Sequence, residues 1–257
     1  MNPGTIELGI IIPAFLAGLL VLSTHVPLGQ EVLARGIIFI DLAIAQIAGL
    51  GVIAAYSFGW QAQGWEVQLA AGGAALSGSV LLNYTEKNWP EIQEAIIGVI
   101  FVLAASGGLL LLSNNPHGGE HLRDLLVGQI LWVNYSTLLP VAFLYALILF
   151  LWFGMRDRLG RQGFYLMFAL AVTASVQLVG IYLVFASLII PALTTRNFSG
   201  PGRLGIGYGM GAAAYATALL ISSCWDLPTG AVIVWSLAAL GLLFRAGLKM
   251  LPGNSRG

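Results

Sequence analysis

Long apolar runs recur along this chain, at residues 8–23, 36–58, 67–82, 92–112, 131–153, 204–222 and 228–244, with a longer stretch at 164–193. About 20 mostly apolar residues in a helix cross the ~30 Å of hydrocarbon in a bilayer. No water is present there, so a spanning segment must bond its own backbone N–H and C=O groups, as a helix does. Composition agrees: 58% of the 257 residues are hydrophobic and 9% are charged, where a soluble domain carries about a quarter charged residues. So few polar groups cannot cover a globule in water. The pattern predicts an all-α, polytopic membrane helix bundle of about 8–9 spans, formed as a single transmembrane domain over residues 1–257.

The stretch at 164–193 is too long for one straight span and short for two, and Gln177, Gly180 and Pro191 interrupt it. It reads as a broken helix or a tight pair, an arrangement tolerated at membrane depth where the irregular backbone is enclosed by protein or lines a cavity. Small residues cluster at 71–75 and at Gly205, Gly207, Gly209 and Gly211. They let helices approach closely and point to packing rather than chemistry.

Short cytoplasmic loops are enriched in Lys and Arg. Arg35, Lys87, the group Arg156, Arg158 and Arg161, the pair Arg196 and Arg203, and the tail residues Lys249 and Arg256 mark inside ends. Residues 59–66, 224–227 and 1–7 carry no basic side chain and read as outside. With the long stretch entering and returning, these assignments agree, with the N-terminus outside, the C-terminus inside and Arg123 the exception.

Several function classes fall away. Lys+Arg and Asp+Glu both number 11, and no basic tract suggests a nucleic-acid partner. The one cysteine, Cys224, cannot form an internal disulfide, and no CxxC or Cys/His zinc spacing occurs. The first apolar run lacks a basic n-region, so no secretory signal is expected, and no water-soluble domain. No GxxxxGKS/T loop is present, so any ATP hydrolysis is expected from separate chains and the protein is not itself an enzyme.

Polar residues inside the apolar runs are the candidates for chemistry. Asp41 follows Arg35 by six residues, within the run 36–58. An Asp near a helix centre costs roughly 2.5–3.5 kcal/mol, so it should face the bundle interior or a wet cavity. It is either a cation or gating site, or a hydrogen-bonded carboxylate that fixes packing. Gln46 lies roughly 140° around the same helix from Asp41, at ~100° per residue, so the two do not share a face. Glu91 and Glu94 follow Pro90 at a helix start, where the dipole favours a carboxylate. Glu91 reads as a cap, whereas Glu94 leads into the apolar run 95–103 and is a second candidate.

The loop at 114–121 holds His117, Glu120 and His121, donors that suit Zn²⁺, Mn²⁺ or Fe²⁺ in a metal-gathering patch. The spacing also matches an inverted zincin protease pattern, but Pro116, Gly118 and Gly119 break the helix that such a site requires. A solvated loop is the third reading. His25, near the end of the first run, reads as an interfacial polar tip.

Three stretches together resemble the permease subunits of the zinc/manganese/iron family of ABC importers. One runs from Leu33 through Arg35 to Asp41 and Ala43, an arginine followed six residues on by an acid. A second is Val179-Gly180 followed by an aliphatic run, Ile189-Ile190-Pro191-Ala192, and a Thr-rich exit at Thr194-Thr195-Arg196. The third is the turn Asp226-Leu227-Pro228-Thr229-Gly230 before the last run. Weaker echoes begin at Glu94 and at Leu126. In order and spacing they cover most of the chain.

The resemblance implies a type II importer permease in the bacterial cytoplasmic (inner) membrane, among its lipids, that works as a homodimer or pseudo-dimer. Its implied partners are two ABC ATPase subunits and an extracytoplasmic metal-binding protein. It implies that the segment holding Pro191, Thr195, Arg196 and Phe198 docks on the ATPase. No cofactor is bound permanently, and the cargo is a divalent metal ion, Zn, Mn or Fe. One departure stands out: the family usually places a His four residues after the membrane acid, and this chain has Ala45 there, with Gln46 beside it. The alternatives are a permease for a metal chelate such as a siderophore or corrinoid, or an intramembrane metalloprotease built on His117, Glu120 and His121.

Overall fold

The computed structural model describes residues 8–57, 65–112 and 126–250. The first helices are α1 (Leu8–Arg35), α2 (Ile40–Ser57), α3 (Trp65–Asn88) and α4 (Gln93–Leu112), the last entered through a 3-10 turn at Pro90–Ile92. Tyr135–Val179 forms two helices across a kink at Gly160 (φ 57, ψ −158), namely α5 (Tyr135–Met155) and α6 (Arg158–Val179). The remaining three are α7 (Ile181–Thr194), α8 (Pro201–Trp225) and α9 (Thr229–Met250). No strand occurs among the described residues. Six of these segments are long and apolar enough to cross a membrane, α2 and α7 contribute shorter apolar helices, and α3 packs between α2 and the helix pair of Tyr135–Val179. This matches an all-α bundle of about 8–9 spans.

Two expectations need correction. The first apolar run does not end near His25: α1 continues through Pro27 to Arg35, and His25 is fully buried. It is no interfacial tip, because its Nδ1 lies 2.9 Å from the Val21 carbonyl and 3.1 Å from the Thr24 hydroxyl, so the helix itself answers that nitrogen. The long stretch 164–193 breaks at Gly180 alone. Gln177 stays within α6, and Pro191 stays within α7.

Gly180 (φ 80) and Gly128 (φ 68) meet backbone to backbone, and a Cβ on either would overlap the other's chain. Both have a left-handed φ that side chains rarely adopt, so glycine is required twice over. The segment 126–133 is thereby fixed against the junction of α6 and α7, with the short 3-10 turn Ile130–Trp132 against α1. Asn134 then starts α5 by accepting the Thr137 N–H at 3.0 Å.

Helices α1, α6 and α7 form the centre. Of the apolar window in α6, 67% is buried, against 17% for α9. Leu110, Phe143, Phe150, Trp235 and Leu242 point outward, which costs nothing where the solvent is acyl chain. The small-residue clusters pack as expected, but selectively. Gly207 and Gly211 of α8 face Val26 and Leu22 of α1, whereas Gly205 and Gly209 face nothing within 4 Å. Ala71 and Ala75 of α3 are buried, and Gly51 of α2 approaches Ala70 and Ala74.

The charged ends of the helices gather on one side. Arg35 pairs with Glu31 at 2.9 Å and lies 4.3 Å over the Phe164 ring. Arg161 is 3.9 Å from Glu86 at the end of α3. Arg245 donates to the Leu193 carbonyl at 2.9 Å. On the opposite side, Asp226 ends α8 in a left-handed conformation (φ 51), and Ser222 donates to the Leu227 carbonyl at 2.7 Å to close the turn into α9.

Candidate functional site

The turn between α1 and α2 is built by Gly36 (φ 72), whose conformation reverses the chain after Arg35. Ile37 and Ile40 are buried, and Phe39 lies outside them, stacked on Phe185 of α7 with ring centroids 6.2 Å apart. The Phe39 N–H donates to Glu94 Oε1 of α4 at 3.2 Å. Three helices thus converge on the residues just before Asp41.

Asp41 sits in the first turn of α2 rather than near the middle of a span, because the helix begins at Ile40. There the helix dipole favours an acid. Even so, Asp41 is 1% exposed, and neither carboxylate oxygen has a hydrogen-bond partner. Its neighbours one turn on, Ile44 and Ala45, are apolar and buried. Glu94 is the acid whose charge acts on Asp41, and Glu94 Oε2 is likewise enclosed and unpartnered. A buried carboxylate without donors is costly unless a proton or a cation answers it. Chemically, the junction of α2 and α4 offers oxygen donors to a cation.

Gln46 is not part of this arrangement. It lines a narrow apolar crevice with Leu50 and Ile53 of α2, Ala104 and Gly108 of α4, Leu126 and Ile181. The separation of Asp41 and Gln46 onto different faces is as their spacing predicts. His117, Glu120 and His121 lie outside the described residues. Among the described residues no three His, Cys, Asp or Glu side chains gather to hold a metal ion.

The segment after α7 is anchored from several directions. Pro191 and Thr195 are buried, and the Thr195 hydroxyl donates to the Pro191 carbonyl at 2.8 Å. Gln30 of α1 reaches Thr195 Oγ1 at 3.5 Å and the Arg203 carbonyl at 3.4 Å. Arg196 is exposed, and Phe198 packs against Phe244 of α9 with centroids 6.0 Å apart.

Sequence reasoning passed over Gln30 and a buried polar group deeper in the bundle. Tyr145 of α5 bonds Ser175 of α6 and donates to the Ala171 carbonyl at 3.0 Å. It also meets Thr24 of α1. Tyr215 of α8 lies 2.8 Å from the Ser187 hydroxyl of α7. The signal was weak, because a tyrosine in an apolar run reads as bulk until its hydroxyl's partner on another helix is known.

Comparison with known proteins agrees with this architecture. The profile of the ABC 3 transport family matches residues 7–161 and 153–246. A relative from Haemophilus influenzae named "Probable iron transport system membrane protein" is 26% identical over 234 residues, spanning 81% of this chain and 82% of that one. The manganese transport system membrane protein MntC of Halalkalibacterium halodurans is 25% identical over 257 residues, spanning 90% and 85%. Among solved structures, PsaBC from Streptococcus pneumoniae in complex with Fab superposes with a TM-score of 0.71 at 19% identity, over 92% of this chain and 89% of that one.

Proposed function

The chain belongs to the ABC 3 transport family, and on that premise we propose that it forms the membrane pathway of an ATP-driven importer for a divalent metal ion. The observation that carries this reading is Asp41, a carboxylate sealed in the bundle with both oxygens unpartnered. Intramembrane acids of this kind mark ion pathways, since their burial is otherwise a plain loss. The similarity to proteins named for iron and manganese transport supports a metal cargo.

The charged side of the bundle is the cytoplasmic one, as the excess of Arg and Lys there indicates. ATP hydrolysis then belongs to separate ATPase subunits docked on that side, and cargo arrives from an extracytoplasmic metal-binding protein. Two copies of this chain complete the pathway. Exposed Arg196 forms the ATPase contact with Phe198, on a segment that buried Pro191 and Thr195 anchor to the bundle. A force on that loop passes into α7, and from Phe185 of α7 through Phe39 to the turn that carries Asp41. A rigid short helix between two junctions suits the rocking of one bundle part against another.

The test is reconstitution of the chain with its ATPase and capture protein in liposomes, followed by uptake of Mn²⁺, Fe²⁺ and Zn²⁺ in parallel. ATP-dependent uptake of at least one ion is expected. Absence of uptake for all three, with ATP hydrolysis intact, overturns the reading.

A further inference from the structure

At the charged end of the bundle the helices do not close completely. A cavity of about 260 Å³ opens between the last turns of α1, the end of α5 and the start of α6. Arg35, Arg161 and Glu31 line it together with Trp152 and Phe164. Arg35 is held in place without being used up. Its Nε donates to Glu31 Oε1 at 2.9 Å, and its guanidinium lies 4.3 Å over the Phe164 ring. That bond takes one of the five N–H donors an arginine carries. Arg161 is held more loosely: its Nε is 3.9 Å from Glu86 Oε2, beyond hydrogen-bond distance, and its side chain is 42% exposed. In the cavity wall two guanidinium groups stand against one carboxylate, and that carboxylate is engaged with Arg35. The cavity carries net positive charge and suits an anion.

Its place in the bundle says which anion. Phe150 and Phe153 of α5 are exposed, an apolar surface that belongs in acyl chain, whereas Trp152 between them is buried and lines the cavity. Soon after, α5 ends at Met155 and the chain kinks at Gly160, which also lines the cavity. The two arginines therefore sit where the lipid-facing surface of α5 runs out, at the level of the headgroups. Basic pockets between spanning helices on the cytoplasmic side suit anionic headgroups. Sites that enclose a drug-sized ligand run to roughly 300–1,000 Å³, so this smaller cavity takes a phosphodiester rather than a nucleotide.

We propose that the cavity binds the phosphate of an anionic phospholipid of the cytoplasmic leaflet, clasped between Arg35 of α1 and Arg161 of α6. Guanidinium groups meet phosphate oxygens with paired N–H donors, and these bonds are strong because both partners are charged. Trp152 and Phe164 supply apolar surface for the glycerol beside it. A lipid seated there ties the end of α1 to the start of α6. Gly36, which turns the chain toward Asp41, follows Arg35 directly, so the bound lipid steadies that turn. The site depends on which end of the bundle is cytoplasmic and not on the cargo.

The test uses the full chain, purified in detergent and stripped of lipid, with bound lipid counted by native mass spectrometry. Dioleoylphosphatidylglycerol is expected to bind at least about tenfold more tightly than dioleoylphosphatidylcholine, since each arginine near a membrane surface is worth roughly a factor of five toward anionic lipid. Arg161→Gln, at an exposed side chain, should weaken phosphatidylglycerol binding by about fivefold and leave phosphatidylcholine unchanged. Arg35→Gln should do the same, and if that variant fails to fold Arg161→Gln decides the point. Arg196→Gln removes an exposed arginine outside the cavity and should leave phosphatidylglycerol binding within about twofold of wild type. Inorganic phosphate at the same concentration as the lipid should not displace it. Equal affinity for the two lipids, unchanged binding in Arg161→Gln, or an equal loss in Arg196→Gln overturns the proposal. Displacement by inorganic phosphate also overturns it, because the site then serves a free anion.

Discussion

Two of the polar regions buried among the described residues are closed in different ways. The deeper one joins Thr24 and His25 of α1, Tyr145 of α5, Ser175 of α6, Ser187 of α7 and Tyr215 of α8. Its groups bond one another or nearby carbonyls, and of that set His25 Nε2 alone lacks a partner. The region at the α2–α4 junction holds carboxylates instead, and its enclosed oxygens meet no side-chain donor, only the helix-start N–H groups of Asp41 and Leu42 lying near the Asp41 carboxylate. Neutral hydroxyls that satisfy each other tie helices together at little cost. Unanswered carboxylates do the opposite, lowering stability until a cation or proton arrives. On the proposed function, the first arrangement serves the fold and the second serves the cargo.

The most damaging change should fall where both regions depend on one contact. Gly180 separates α6, which carries Ser175, from α7, which carries Ser187 and Phe185. Gly180→Val places a β-branched side chain at φ 80, against the backbone of Val127 and Gly128. The conformation alone costs about 1–3 kcal/mol, and the overlap adds to it. The expected outcome is loss of monodisperse protein on size-exclusion chromatography. Recovery of well-folded, active protein would show that the two regions do not share this frame.

Asp41→Asn separates the regions most cleanly. ATP-dependent metal uptake should fall by about 100-fold or more, since losing even an outer partner of a metal site costs 10–100-fold. The melting temperature should stay level or rise, because a neutral amide avoids the penalty of a buried, unanswered charge. A clear drop in melting temperature would mean that the carboxylate fixes packing, and the contrast would collapse.

The smallest effect belongs to Tyr145→Phe. Removing one interhelical hydrogen bond within a membrane costs about 0.6 kcal/mol on average and up to ~1.7. A melting temperature lowered slightly, with uptake per folded protein within about twofold of wild type, fits a hydroxyl that only binds helices together. A transport defect as large as that of Asp41→Asn would place the deeper region on the pathway as well.

Much of this was legible in the chain itself. Run length and the lack of charge specify a bilayer bundle, because hydrophobic thickness is a local property of about 20 residues. The positions of Arg35, Lys87, Arg158, Arg196 and Arg203 give the bundle two unlike ends, and the packed helices do bring charged ends to one side. Glycine at 180 announced a break. Where α1 would stop was less legible, because a buried His can be answered by its own helix, and hydropathy sees only its polarity.

What the sequence determined alone was the solvent, the helices and the short list of acids out of place. Only the tertiary structure decided which of those acids matter together. Asp41 and Glu94 lie on different helices far apart in the chain, and their spacing says nothing about their meeting. Glu94 comes within electrostatic reach of Asp41 because Gly36 reverses the backbone, the Phe39 amide captures Glu94, and Phe185 holds that turn from α7. Periodicity fixes which way a side chain points from its own helix, whereas what it points at is set by how the helices pack.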